Sequence, residues 1–136
     1  MILLDTCSLL WLVSNRAELS PAAVRAIDGA RKVYVSAASA FEIGIKYRRG
    51  RLPLALAPQD WWSAAVTRLG LDELAITSAV ALAASALPTE LRVGRRTVDH
   101  RDPGDRLLVA TAAQHGLTIV TPDPLIAAYP GAEVLW

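Results

Sequence analysis

Four acidic residues lie where chemistry could take place in an α/β protein. Asp5 directly follows the apolar run "MILL", and Asp123 follows "LTIVT" with one proline between. Glu42 lies in the helical pattern after "KVYVS", and Asp105 lies at the start of another helical pattern. In an open α/β sheet, ligands bind beyond the carboxyl ends of the strands. Because strand ends and the following helix starts share that edge, we expect the four carboxylates to converge.

Each acid also has a structural interpretation. Asp5 could cap the helix that follows it, and Asp123 could be a turn residue in "TPDP". Glu42 could form a capping box with Ser39, or an i,i+4 ion pair with Lys46. Taken singly, such caps and turns are commoner than functional sites, and it is the joint pattern that indicates chemistry.

The stretch "HRDPGDRLLVATA" places two acids at one helix start. Asp102 is a preferred N-cap residue, and Pro103 suits the first helical position. Asp105 sits three residues after the cap, where a carboxylate favours the positive end of the helix. Since a single acid suffices for the cap, the second is available for chemistry.

Carboxylates that share a crevice need a compensating charge. Two unit charges about 4 Å apart interact at about 4 kcal/mol for an effective dielectric constant near 20. Oxygen ligands favour magnesium or manganese, and the chain has no histidine and cysteine spacing typical of a zinc site. Magnesium is often held by one or two carboxylates together with phosphate oxygens of a substrate. The pattern therefore indicates metal-assisted hydrolysis of a phosphodiester.

The elements that must position these acids alternate between short apolar runs and helical patterns, which predicts an α/β fold with a largely parallel sheet. The predicted strands are "MILL", "KVYVS", "LTIVT" and "AEVLW", with "LDELAI" as a weaker candidate. The predicted helices are "TCSLLWLVS", residues 21–29, residues 37–49, a segment opened by Pro58, "TSAVALAASAL", and a segment from 103 to Gly116. Residues 88–101 lack periodicity and are predicted to form an exposed loop.

Composition limits the class of protein. With 136 residues, 53% of them hydrophobic, the chain is expected to form a single domain over residues 1–136. The net charge of +1 excludes nucleic-acid binding through bulk charge alone. The single cysteine, Cys7, leaves no disulfide within the chain and favours a reducing compartment. The apolar start lacks a basic leader, and no apolar run reaches the roughly 20 residues of a membrane span, so we expect a cytoplasmic protein.

Any contact with nucleic acid must then come from local basic clusters. Arg48, Arg49 and Arg51 form one cluster, and Arg95 and Arg96 form another, with Arg101 nearby. Lys46, one turn after Glu42, could neutralise that acid or touch a substrate. These side chains are candidate phosphate contacts, and an ordinary solvated surface explains them equally well.

Four stretches, in order, resemble the motifs of the PIN-domain ribonucleases, and in particular the VapC-type toxins of bacterial toxin–antitoxin pairs. They are "LLDTCSLLWL", "VSAASAFEIGIKYRRGRL", "HRDPGDRLLVATA" and "LTIVTPDPLIAAY", and the similarity covers nearly the whole chain. The resemblance implies a three-layer α/β/α sandwich with a mostly parallel central sheet. Two departures stand out: Gly104 occupies a place where such sequences often carry a larger residue, and the segment 88–101 is longer than usual.

The resemblance also implies the roles of particular residues. Asp5, Glu42, Asp105 and Asp123 would be the acidic set that binds one or two Mg²⁺ or Mn²⁺ ions. Thr6 and Thr121 would be accessory hydroxyls beside the first and fourth acids, and Asp102 a cap and accessory acid. The implied activity is an endoribonuclease that leaves 5′-phosphate and 3′-hydroxyl ends. The implied partners are an RNA substrate, a second copy of the chain, and a VapB-type antitoxin whose tail occludes the acidic groove.

Other functions remain open at this stage. A non-catalytic PIN-like binding module could keep the acids for stability or metal alone, although retention of all four favours an enzyme. A DNA nuclease is possible because an acidic site does not itself read the sugar. A haloacid-type phosphatase would need a second aspartate two residues after Asp5, where this chain has Cys7. Cys7 could also be a catalytic thiol, but a lone cysteine in an apolar helix is more often a packing residue.

Overall fold

A computed structural model describes residues 1–136 and contains seven strands and seven α-helices. The strands are β1 (Ile2–Leu4), β2 (Val33–Ser36), β3 (Asp72–Leu74), β4 (Glu90–Val93), β5 (Arg96–Asp99), β6 (Thr118–Val120) and β7 (Val134–Leu135). The helices are α1 (Thr6–Ser14), α2 (Pro21–Gly29), α3 (Ala37–Arg48), α4 (Pro58–Leu69), α5 (Ser78–Ala86), α6 (Pro103–His115) and α7 (Pro124–Ala127). None of the helices combines the length and apolar character that a membrane span requires.

The central sheet has five strands in the order β3-β2-β1-β6-β7, and every neighbouring pair is parallel. Along the chain, β1 to β3 are added towards one edge, whereas β6 and β7 are added towards the other. The strand order therefore reverses between β1 and β6. In open parallel sheets such a reversal opens a crevice at the carboxyl ends of the strands.

Helices cover both faces of this sheet. In β1, Ile2 and Leu4 pack into one hydrophobic cluster, together with residues of α1 to α4. Leu3, which points to the opposite face, packs into a second cluster with residues of α6 and α7. Helix α5 adds a small third cluster against α6. These layers confirm the predicted α/β/α sandwich with a mostly parallel sheet.

Local sequence signals set most of the helix ends as predicted. Ser20 caps α2, with Pro21 in its first turn, and the Asp102 side chain caps α6. Gly116 ends α6 with φ at +62°, a left-handed conformation that costs glycine little. Helix α3 ends at Arg48, one residue before its predicted end.

The predicted exposed loop over residues 88–101 is wrong, because this segment forms a hairpin. Strands β4 and β5 pair antiparallel around a two-residue turn that starts at Gly94, where φ is +64°. Leu91 of β4 is only 2% exposed and packs into the cluster that contains α6 and α7. The alternation of Leu91 and Val93 with charged residues was the available signal, and the many arginines obscured it.

Leu91 should anchor this hairpin to the rest of the molecule. We expect Leu91→Ala to lower the free energy of unfolding by about 2–5 kcal/mol, because it removes a buried side chain and leaves a cavity. Leu82→Ala is the control, since Leu82 is 71% exposed and its loss should cost under about 0.5 kcal/mol. Urea denaturation of both variants measures the difference. Equal small effects would show that the hairpin does not contribute to the core.

Candidate active site

All four predicted acids line one cleft of about 350 Å³, here called the acidic cleft. The cleft lies where β1 and β6 end, at the reversal of strand order. Its polar and charged lining consists of Asp5, Thr6, Cys7, Ser39, Glu42, Lys46, Asp102, Asp105 and Asp123. The predicted convergence of acids from four separate stretches is therefore present in the tertiary structure.

Asp5 is buried and both of its carboxylate oxygens accept hydrogen bonds. Oδ1 accepts from the backbone N–H of Ser8 at 2.7 Å, which caps α1, and Oδ2 accepts from the Thr121 hydroxyl at 2.6 Å. Burial raises the pKa of this carboxyl group, and the bonds from Thr121 and Ser8 counteract part of the rise. Asp5 is thus both the cap of a helix and a wall of the cleft.

The Thr121 hydroxyl links Asp5 to Asp123. While it donates to Asp5, its oxygen accepts from the backbone N–H of Asp123 at 3.0 Å. Asp123 then caps α7, because its Oδ1 accepts from the backbone N–H of Leu125 at 2.8 Å. This chain of hydrogen bonds holds the acids after β1 and β6 in a fixed relation.

The Glu42 carboxylate contacts two side chains, one from helix α1 and one from its own helix. Thr6 donates its hydroxyl to Oε2 at 2.6 Å, and Nζ of Lys46 lies 2.8 Å from Oε1. The i,i+4 pair is therefore confirmed, and the hydrogen bond to Glu42 raises the pKa of Lys46. The alternative, a capping box with Ser39, does not form, because Ser36 caps α3 and Glu42 lies in its second turn.

Asp105 shows most clearly the electrostatic cost of this arrangement. Its pKa is raised to about 7, first by burial and then by the negative charges of Asp102, Asp123, Glu42 and Asp5. Asp102 accepts from the backbone N–H of Asp105 at 2.9 Å, which confirms the predicted cap. The other close partner of Asp105 is His100, whose Nε2 lies 3.2 Å from Oδ2. Sequence reasoning gave His100 no role, although it lies in the same motif.

The donor chemistry of the cleft fits a hard divalent cation. All the acidic donor atoms are oxygens. Burial and then the neighbouring negative charges raise the pKa of Asp105, and a cation would favour the charged form of these carboxylates. No three acidic, histidine or cysteine side chains are close enough together to hold one ion in the present arrangement. Lys46 contacts Oε1 of Glu42, and His100 contacts Oδ2 of Asp105. Joint coordination therefore requires movement of side chains within the cleft.

Cys7 lines the cleft, but its thiol is protonated and is therefore a poor nucleophile. Burial, followed by the charge of Asp5, raises the pKa of its thiol to about 11. Because the thiolate is the reactive form, a neutral thiol at physiological pH does not support a catalytic cysteine.

A second depression of about 440 Å³, here called the apolar groove, adjoins the acidic cleft. Its apolar lining consists of Ala37, Ala38, Phe41, Ile45, Ile76, Pro103 and Leu107. Ala38, Glu42, Lys46, Asp102 and Gly104 line both depressions and form the boundary between them. A Cβ at position 104 would lie 3.2 Å from Oδ1 of Asp102, so a larger residue here would require the Asp102 carboxylate to shift slightly.

The basic candidates are distributed unevenly around the cleft. Lys46 lines both depressions, and Arg49 and Arg51 line the apolar groove. Arg48 lines neither depression, and Arg95 and Arg96 lie at the exposed tip of the β4–β5 hairpin. The structure thus brings Lys46 to the acidic cleft and Arg49 and Arg51 to the adjoining apolar groove.

Comparison with known proteins gives a consistent result. A family model of the PIN domain matches residues 2–131. Ribonuclease VapC22 of Mycobacterium tuberculosis is 31% identical over 137 residues, which cover 99% of this chain and 98% of that protein.

Solved structures share the fold. A chain of VapBC2 from Rickettsia felis, bound to a promoter DNA fragment, aligns with a TM-score of 0.66 and 15% identity over 99% of this chain and 98% of its own. A chain of a toxin–antitoxin complex from Klebsiella pneumoniae aligns with a TM-score of 0.63 and 22% identity over 100% of this chain and 97% of its own. On the family match and the sequence identity together, the chain belongs to the PIN domain family, among the VapC-type ribonucleases.

Proposed function

We propose that the chain is a metal-dependent endoribonuclease toxin, a single cytoplasmic domain over residues 1–136 that a cognate antitoxin inhibits. The observation that carries this proposal is the acidic cleft, where four acids from separate motifs meet at the reversal of strand order. Membership of the PIN domain family and the similarity to a named ribonuclease support the reaction class.

Asp5, Glu42, Asp105 and Asp123 would hold one or two Mg²⁺ or Mn²⁺ ions. Such an ion lowers the pKa of a water molecule and stabilises charge on the phosphodiester. The chain's own contribution is orientation. A carboxylate oxygen has two lone pairs, so the oxygens that accept from Thr6 and Thr121 keep capacity for a further contact while their direction is fixed.

Hydrolysis in the acidic cleft would place a water molecule in line with the scissile bond. The 3′ oxygen leaves, which gives a 5′-phosphate on one fragment and a 3′-hydroxyl on the other. No 2′-hydroxyl nucleophile is needed. Lys46, which lines the acidic cleft, and Arg49 and Arg51, which line the adjoining groove, would contact flanking phosphates, with Arg48, Arg95 and Arg96 as further candidates.

The apolar groove is the surface we assign to the antitoxin. Phe41 is 73% exposed there, and the groove shares a wall with the acidic cleft, so a bound segment could cover both. The structures with the same fold include toxin–antitoxin complexes, which supports such a partner. A homodimer is also proposed, and light scattering of the purified chain would measure it.

Conservative substitution of the acids tests the catalytic assignment. We expect Asp5→Asn and Asp105→Asn each to lower the rate of RNA cleavage by more than about 100-fold. Loss of an outer partner of a metal ligand costs up to about 100-fold, and loss of a ligand itself should cost more. Asparagine is as good an N-cap as aspartate, so Asp5→Asn should preserve α1. The assay uses total RNA and single-stranded DNA, each with magnesium or with chelator, and maps the new 5′ ends.

Asp60→Asn, an exposed acid in the first turn of α4, is the matched control and should leave cleavage unchanged. Full activity of both cleft variants, with unchanged folding, would exclude this site. Cleavage of DNA alone would redirect the substrate assignment.

The raised pKa of Asp105 predicts how the metal-free protein responds to pH. Because the folded pKa of about 7 exceeds the ordinary aspartate pKa of 3.8, the folded state binds an extra proton between these pH values. This contribution to stability is complete below about pH 4 and is lost as pH rises through 7. We expect the Tm in chelator to fall from pH 5 to pH 8, and to fall less for Asp105→Asn. Magnesium should restore stability at pH 8, and identical profiles for both proteins would contradict the raised pKa.

Phe41 tests the assignment of the apolar groove. We expect Phe41→Asp to weaken binding of the cognate antitoxin by about 10-fold or more, the effect of removing an exposed aromatic anchor. Leu82→Asp is the control, because Leu82 is equally exposed but lies on α5 outside the groove. Surface plasmon resonance gives both affinities. If only Leu82→Asp weakened antitoxin binding, the antitoxin would have to be assigned to another surface.

A further inference from the structure

His100 is held in place from three directions at the edge of the acidic cleft. It lies between the end of β5 and the start of α6, and its side chain is 11% exposed. Its backbone N–H donates to the carbonyl oxygen of Thr89 at 2.7 Å, across the base of the hairpin. Its Nε2 lies 3.2 Å from Oδ2 of Asp105, and its Nδ1 lies 2.8 Å from the Tyr129 hydroxyl.

Tyr129 fixes the other side of this contact. Its side chain is 2% exposed, and its ring meets that of His100 edge to face, with 5.7 Å between the centroids. Burial raises the pKa of the phenol, so the hydroxyl is neutral and keeps its proton at physiological pH. The hydroxyl lies within hydrogen-bond distance of Nδ1 of His100, and the nearby Arg106 guanidinium counteracts part of the rise in the pKa of the phenol.

The direction of these hydrogen bonds follows from the two partners. When the imidazole is neutral, the phenol O–H donates to Nδ1 and the ring proton lies on Nε2. Nε2–H then donates to Oδ2 of Asp105. Oδ1 of Asp105 has no hydrogen-bond partner within the chain and is the oxygen left for a ligand.

We infer that Tyr129 and His100 form a relay that orients the Asp105 carboxylate for a divalent cation, so that both are positioning residues of the proposed nuclease. This inference rests on the proposed function. Outer partners of this kind fix the orientation of metal ligands and raise their affinity for the ion. It also gives His100 a function without making it a general base, since Nε2 is already engaged by Asp105.

The direct test is the affinity for Mn²⁺ alone, measured by electron paramagnetic resonance on folded variants. We expect His100→Leu to raise the Kd about 10- to 100-fold. His100→Gln places an amide N–H near the former Nε2 and should recover most of the loss. Tyr129→Phe removes only the hydroxyl and should raise the Kd by less. His115→Leu, which alters the only other histidine, at the exposed end of α6, should leave the Kd unchanged.

Kinetics separate positioning from packing. At saturating Mn²⁺, the kcat of His100→Leu should recover towards the wild-type value, and the KM for RNA should stay constant. A purely structural role would lower the Tm of the leucine and glutamine variants alike and leave the Kd of the folded protein unchanged. That result would overturn the relay.

The tautomer supplies a readout that needs no metal. Nitrogen-15 spectra of the imidazole at pH 8 should show the His100 proton on Nε2 in wild type. A proton on Nδ1 would overturn the relay. If wild type binds Mn²⁺ and cleaves RNA while His100→Leu keeps its Kd, only this inference fails. If wild type does not bind Mn²⁺, the proposed function fails and takes the inference with it.

Discussion

The repulsion among carboxylates at one edge of the sheet is the constraint on which the rest of the site depends. A crevice forms there because the order of the parallel strands reverses, and acidic side chains line this crevice. Burial and, after it, the charges of the neighbouring acids raise the pKa of Asp105 to about 7. The fold tolerates the cluster because each acid has a partner. Thr121 bonds Asp5, Thr6 and Lys46 hold Glu42, and His100 contacts Asp105.

Helix capping and the acidic site use the same residues. Asp5, Asp102 and Asp123 each accept a backbone N–H at the start of a helix. The positive end of a helix offsets part of a carboxylate's charge, so a cap is a favourable place to bury an acid. A carboxylate can therefore stabilise its helix through one oxygen and face the cleft with its remaining lone pairs. The structural and functional interpretations of these acids are compatible.

The acidic cleft, where we propose catalysis, shares a boundary with the apolar groove, where we propose that the antitoxin binds. Glu42, Lys46 and Gly104 line both depressions. A partner that buries apolar surface around Phe41 would thus reach the carboxylates without rearranging the fold. Affinity from apolar contact and competition for the acids could then act together.

The sequence by itself determined the alternation of strands and helices and the caps at Ser20 and Asp102. It also placed the four acids after strands or near helix starts. These features depend on local periodicity and residue type. The sequence did not reveal the β4–β5 hairpin, because Leu91 of this hairpin is buried only by packing against helices that lie far away in the sequence. Nor did it reveal the contact of His100 with Tyr129 and Asp105. Only the tertiary structure decided the strand order, the shared cleft and these hydrogen bonds, since they join residues far apart in the chain, and local propensity carries no information about such pairs.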